Sequence, residues 1–323
     1  MFELQKKPGE DFRILNFSDP QLTDTEWDGE AGAIVRGTVL RLCGEVKPDL
    51  VTLSGDLAWA GHERSYGLLA DLCEQTGAPW APIFGNHDNQ EGKETLDRTV
   101  SILTSRPHCV FDPGPAELGC GNYVIAVKEG DRPVHAVFMM DTHNVKPWTK
   151  PNGETVKEWA DLEPCQIEWY EKEADRLAAL GYPETTVILH IPIYTYNDAF
   201  KAAFREGIDP GSVDPADGAQ TGCWNEGYED SFGVAFDGVS SYREDNGFFD
   251  RVLAHGSTKT ILCGHDHTTD FSILYRGVRL VFSLKVGPGC YWDERLNGGT
   301  LITVNSEGRA TASHRFVDPK SLF

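Results

Sequence analysis

Basic residues are scarce in this chain: 29 Lys and Arg stand against 50 Asp and Glu in 323 residues, a formal net charge of -21. A field of that sign repels polyanions, so binding along a nucleic acid backbone is not expected. A small anionic substrate would need local compensation, which bound cations can supply. Elsewhere the acidity reads as a solvated exterior. Cysteine motifs are missing too. The eight cysteines, at 43, 73, 109, 120, 165, 223, 263 and 290, form no CxxC pair, which removes a zinc knuckle or a thiol redox motif and leaves reduced, half-buried thiols as the expectation. The opening MFELQKKPGEDF has no apolar run of the secretory kind, and no stretch approaches the roughly 18 apolar residues of a membrane span. A cytoplasmic protein with no membrane partner is therefore expected. Repeats and low-complexity tracts are absent, and hydrophobic residues at 40% with charged residues at 24% permit a substantial core.

What is present is a rhythm of apolar runs, sharp polar turns and helical stretches, which predicts an α/β fold. Strands are expected at Phe12 to Phe17, Leu50 to Leu53, Trp80 to Phe84, Val134 to Met140, Thr186 to Leu189 and Thr260 to Cys263. Helical stretches lie between them, at Ala31 to Val46 (stopped by Pro48), Ser65 to Glu74, Pro164 to Leu180 and Phe248 to His255. The length suits one large domain over residues 1–323. Residues 195–245, rich in Gly, Asp, Asn and Ser, break the rhythm and are expected as a long loop insertion, functional or disordered.

Five polar clusters sit where an expected strand ends: Asp19-Pro20-Gln21, Gly55-Asp56, Gly85-Asn86-His87-Asp88, His190-Ile191-Pro192 and Gly264-His265-Asp266-His267. Ligands of open α/β sheets bind outside the carboxyl ends of the strands, so the five can converge on one site. Carboxylate and amide oxygens with neutral imidazoles suit two divalent cations a few ångströms apart, with one carboxylate bridging them. Glycine beside Asp56, Asn86 and His265 lets metal or substrate approach closely. A helix starting after such a turn would add a positive dipole end near a phosphate. Any one cluster alone reads as a turn, a helix cap or a structural histidine. Five in the same strand-end context do not.

The motifs GD, GNHD, a strand-end His and GHDH resemble the calcineurin-like metallophosphoesterase family, and the resemblance runs from Phe12 to about residue 316. GNY at 121 to 123, MMDTH at 139 to 143 and QIEWY at 166 to 170 are similar to the small intracellular relatives of purple acid phosphatases. The resemblance implies a four-layer α/β/β/α sandwich around a dinuclear centre. Asp19, Gln21, Asp56 and His267 would hold the first metal; Asp56, Asn86, His190 and His265 would hold the second, with Asp56 as the bridge. His87 would contact the phosphate and assist the leaving oxygen, oriented by Asp88. The implied reaction is phosphoester hydrolysis by a metal-bound hydroxide, on a small phosphorylated substrate or a phosphoprotein.

Two positions depart from the family pattern. Gln21 stands where a histidine is usual, and an amide oxygen is a harder, weaker ligand than imidazole, so retained activity with altered metal preference is expected. Trp59 occupies the place of the tyrosine that binds ferric iron in purple acid phosphatases, and it cannot ligate. Manganese, ferrous iron or zinc is accordingly expected as the pair of divalent ions. A phosphomonoesterase is the leading reading; a phosphodiesterase or nucleotide pyrophosphohydrolase, and a catalytically silent scaffold, are its alternatives. Asp141 and His143 are read as structural or supporting, and His62, His108 and His255 as surface or capping residues. Trp224, Tyr228, Tyr291 and Trp292 either line a substrate pocket or pack loops.

Overall fold

Apolar runs ending in polar turns build two mixed sheets, stacked face to face, in the computed structural model, which describes residues 1–209 and 223–323. The five-stranded sheet runs in the order β14 (Ala310–Phe316), β13 (Gly298–Val304), β2 (Phe12–Phe17), β3 (Leu50–Ser54) and β4 (Trp80–Ile83). The seven-stranded sheet runs β1 (Phe2–Gln5), β5 (Tyr123–Glu129), β6 (Arg132–Met139), β9 (Thr185–Ile188), β10 (Thr258–Cys263), β12 (Val278–Phe282) and β11 (Ser272–Tyr275). Strands β2, β3 and β4 are mutually parallel, as are β6, β9, β10 and β12. Within each sheet, the carboxyl ends of these strands therefore share one edge.

Alternation along the strands fixes the layers. Ile125, Val127, Val137 and Met139 enter one core with residues of β2, β3 and β4 and of helices α1 (Glu30–Val46) and α2 (Glu63–Gln75). Their neighbours Val124, Ala126, Ala136 and Phe138 enter a second core under α4 (Pro164–Ala179), α5 (Thr195–Ala203) and α6 (Phe248–His255). Phe138 packs tilted on Tyr170, which meets Phe248 edge-on, with ring centroids 4.9 and 5.0 Å apart. Side chains of period two, buried on both faces, are what a covered sheet requires. The result is the α/β/β/α order implied by the family resemblance.

Several elements were not expected, among them the strands β1 and β5. Helix α3 (Lys93–Thr104) starts at Gly92 without a side-chain cap, and two of the three residues it buries at helical spacing, Thr95 and Thr99, are polar, so its core face does not read as an apolar stripe. Strands β7 (Val145–Thr149) and β8 (Thr155–Trp159) form an isolated two-stranded hairpin. The stretch expected as a loop from residue 195 begins instead with α5, whose Tyr196, Ala199 and Ala203 are buried at helical spacing. Residues 210–222 of that stretch lie outside the described residues. No helix among the described residues is long and apolar enough to cross a membrane.

Candidate dinuclear metal centre

The strand-end clusters meet because backbone bonds tie the ends of the two sheets together. Asp19 N donates to Gly55 O at 3.2 Å, Gln21 N to Asp56 O at 3.1 Å and Gly264 N to His190 O at 3.1 Å. Between the sheets, Val286 N donates to Ser18 O at 2.9 Å, and the His265 amide donates to Asp19 Oδ2 at 3.1 Å. The turns are strained. Asp19, Gln21, Asp56 and His265 hold φ of 54, 45, 48 and 80°, a left-handed region that non-glycine residues seldom occupy and that clusters at functional sites.

The geometry gathers all seven residues expected as ligands at the shared strand edge. Ligand atoms of Asp56, His190 and His265 lie within 4.8 Å of one another, and so do those of Asp19, Asp56 and His267. Asp56 belongs to both groups. Asn86 Oδ1 lies 3.0 Å from His190 Nε2, and the Gln21 amide reaches Asp56 Oδ2 at 3.4 Å. All seven side chains are buried. Glycine makes this density possible: a Cβ on Gly85 would sit 2.6 Å from His190 Nε2 and closer still to Asp56 Oδ1. Gly85→Ala is expected to cost about 1–3 kcal/mol by overpacking and to lower metal content on the His190 side. A denaturant melt with elemental analysis checks this, and wild-type values in both would show that the strand end can shift freely.

Hydrogen bonds fix which ring nitrogens face the centre. His190 Nδ1 lies 2.8 Å from Ser54 O and His267 Nδ1 lies 2.8 Å from Tyr291 O, which leaves both Nε2 atoms turned inward. Such backbone partners set tautomer and ring orientation at metal sites. Aromatic rings wall the centre. Tyr291 stacks on His267 at 4.3 Å, Trp159 meets His265 edge-on at 4.6 Å, and Trp59 packs against His87 at 4.3 Å.

Burial alone would raise Asp19 and Asp56, but the neighbouring histidines override it and hold both carboxyls below the usual carboxylate range. Burial would lower His190, yet the Asp56 and Asp19 charges push it up to about 10. Burial and the His190 charge bring His265 down to about 3. The centre is thus a buried anionic pocket that draws positive charge to itself. Two oxygens point to a ligand: Asp19 Oδ1, 3.5 Å from His267 Nε2, and Gln21 Oε1 are buried and make no hydrogen bond. Orphaned buried acceptors are costly, and both belong to one donor set, so the residues present fit cations. Carboxylate, amide and imidazole donors suit two first-row divalent ions.

One expected role is corrected. The Asp88 carboxylate takes its hydrogen bonds from groups other than the His87 ring. It accepts from the amides of Leu57 at 3.1 Å, Ala58 at 3.2 Å and Gly85 at 2.7 Å, and from the Tyr66 hydroxyl at 2.7 Å. Asp88 thereby braces the loops after β3 and β4, while His87 Nδ1 pairs with Gln90 Oε1 at 3.0 Å. Sequence reasoning also missed Lys285, a buried lysine whose ammonium donates to the Asp19 carbonyl and is brought down to about 8 by burial. Its only signal was its place after the apolar run 278–282. Trp224 packs against Phe204 in the core at 5.4 Å and Tyr228 lies against the same core. His62 precedes α2, His108 pairs with Glu74, and His255 ends α6, and none of them belongs to either donor group.

The family model for calcineurin-like phosphoesterases matches residues 12–269. The chain belongs to the calcineurin-like phosphoesterase family. Among curated proteins it is similar to "Probable inactive purple acid phosphatase 14" of Arabidopsis thaliana, 24% identical over 275 residues that cover 76% of this chain. It is also similar to "Probable inactive purple acid phosphatase 29" of the same plant, 23% identical over 274 residues that cover 79% of this chain. The matches span 60% and 64% of the lengths of these two relatives. Among solved structures, a dimetal phosphatase from Danio rerio superposes with a TM-score of 0.59 at 10% identity, covering 95% of this chain and 96% of that one. At that identity the likeness speaks for the fold.

Proposed function

We propose that this family member is a metal-dependent phosphomonoesterase, with Asp19, Gln21, Asp56 and His267 holding one cation and Asp56, Asn86, His190 and His265 the other. The observation that carries the reading is the sharing of Asp56 between two buried donor groups. Divalent cations bound there supply Lewis acidity toward phosphoryl oxygens and acidify water. The chain does the rest. In the net reaction a water oxygen bonds phosphorus, the ester P–O bond breaks, and the departing alkoxide takes a proton. His87 is the group suited to deliver that proton, because Gln90 occupies Nδ1 and leaves Nε2 for the leaving oxygen. Trp59, Trp159 and Tyr291 narrow the approach and limit water around the reacting phosphate.

The test compares p-nitrophenyl phosphate, its bis-ester and ADP-ribose, with added manganese, iron or zinc. The highest kcat/KM is expected on the monoester. A higher value on the bis-ester or on ADP-ribose would transfer the reading to a phosphodiesterase or a pyrophosphohydrolase. A scaffold reading takes support from the word "inactive" in the names of both plant relatives. Absence of bound metal together with absence of metal-stimulated turnover would favour it.

Gln21 offers a sharper check on the first metal. With its amide oxygen as ligand, that position is harder than one built with imidazole, so Gln21→His is expected to move metal preference from manganese toward zinc by roughly tenfold or more. Side-by-side metal titrations of activity measure the shift. Superimposable curves for wild type and variant would remove Gln21 from the ligand set.

A further inference from the structure

A cleft of about 670 Å³ lies between α3 and residues 113–120, with Asp141 and His143 in its lining. Nothing in the proposed hydrolytic step uses it. Its volume falls within the roughly 300–1,000 Å³ common for small-ligand sites. Position connects it to the chemistry on two sides. Asp141 follows β6, whose parallel neighbour β9 leads to His190, and Ile191 N donates to Thr142 Oγ1 at 3.0 Å across the two strand ends. On the other side, Asn89 lines the cleft two residues beyond His87.

The wall is preformed. His143 is held at φ 61°, with its amide donating to Asp141 Oδ1 at 2.7 Å and its Nε2 2.9 Å from Gln166 Oε1. Gly119 lies so close that an added Cβ would sit 2.7 Å from His143 Cε1. Leu96, Val100 and Ala116 give the opposite side an apolar strip, beside which Lys93 and Asp97 pair with each other at 2.7 Å. Asn89 Oδ1 is buried without a hydrogen-bond partner, an acceptor that needs a donor from whatever occupies the space.

We infer that this cleft receives the alcohol portion of the substrate, selecting phosphate monoesters whose alcohol has an apolar body and a hydrogen-bond donor. The inference rests on the phosphomonoesterase reading. With His87 at the leaving oxygen, as that reading has it, Asn89 two residues further on is where the attached group would meet the cleft. The apolar side takes the body of the alcohol, and Asn89 Oδ1 accepts from its donor. An ethyl ester would leave the space to water.

The experiment compares 2-(4-hydroxyphenyl)ethyl phosphate with ethyl phosphate, whose leaving alcohols have similar acidity. Burying one aromatic ring predicts a kcat/KM advantage of roughly 30-fold for the larger ester. Val100→Trp, which fills the cleft, and Leu96→Lys, which charges it, are each expected to cut that ratio to about threefold while the ethyl phosphate rate stays unchanged. In a second arm, 2-(3-fluoro-4-hydroxyphenyl)ethanol is titrated into the metal-free protein and followed by fluorine NMR. Saturable binding, weakened about tenfold or more in both variants, is expected. Should neither ester be hydrolysed, the phosphomonoesterase reading fails and the binding arm alone decides the cleft. A ratio near one in active enzyme, no saturable binding by wild type, or binding unchanged in the folded variants overturns the inference. Leu96→Lys decides if Val100→Trp does not fold.

Discussion

Asp56→Asn is expected to empty both metal positions at once, with metal affinity down by more than about 100-fold and turnover lost in proportion. The side chain is buried and belongs to both donor groups. Its Oδ1 accepts from the His87 amide at 2.9 Å and lies 3.4 Å from His190 Nε2, while Oδ2 receives the Gln21 amide at 3.4 Å. Asparagine keeps the size and one acceptor but removes the anion. Two dications a few ångströms apart then face each other with one fewer negative charge between them, and in a buried setting that repulsion is poorly screened. A ligand belonging to one ion only would behave differently. His267→Ala should weaken the Asp19 side and spare the side held by Asn86, His190 and His265. Elemental analysis of both variants, with metal-dependent turnover, measures the contrast. An Asp56→Asn protein with two ions bound and a near-normal rate would end the bridging assignment.

How legible this centre was in the sequence depends on what each residue does. Asp19, Asp56, Asn86, His190 and His265 follow strands whose apolar runs are unmistakable, so their place at a strand end could be read directly. Parallel pairing within each sheet then brings them to a common edge. That the two sheets face each other with those edges adjoining was not readable, because it rests on long-range contacts such as Ser18 with Lys285. Asp88 shows the limit of motif reasoning. Its neighbour His87 faces the site, but one residue further the side chain turns inward to cap three amides and a tyrosine, a role with no local signature. The hairpin of β7 and β8 was missed for a related reason. Its side chains alternate between exposed and half-buried rather than between buried and exposed, so the pattern that marks a core strand is faint. The hairpin nonetheless delivers Trp159 to His265.

His87→Ala is expected to divide substrates by their leaving group. General acid assistance contributes roughly 100 to 10,000-fold where the departing alkoxide is a strong base, and little where it is not. Alkyl phosphates should therefore lose about that factor in kcat, whereas p-nitrophenyl phosphate, whose phenolate departs without a proton, should lose far less. The protein invests in the position of this ring: Trp59 packs on one side at 4.3 Å, and Gln90 Oε1 lies 3.0 Å from Nδ1. A donor held this way presents Nε2 in a constant direction, which an untethered exposed histidine would not. Gln90→Ala separates tethering from proton delivery. It removes the partner of Nδ1 but leaves the ring, so it should produce a smaller loss with the same leaving-group dependence. Metal content should stay at the wild-type level in both variants, because His87 contributes its backbone amide to Asp56 and the alanine amide can replace it. Rates for a series of esters with leaving groups of graded acidity, plotted for wild type and the two variants, give the slopes to compare. A steeper slope in His87→Ala than in wild type identifies proton delivery. Parallel lines displaced by a constant factor would restrict His87 to binding the phosphate.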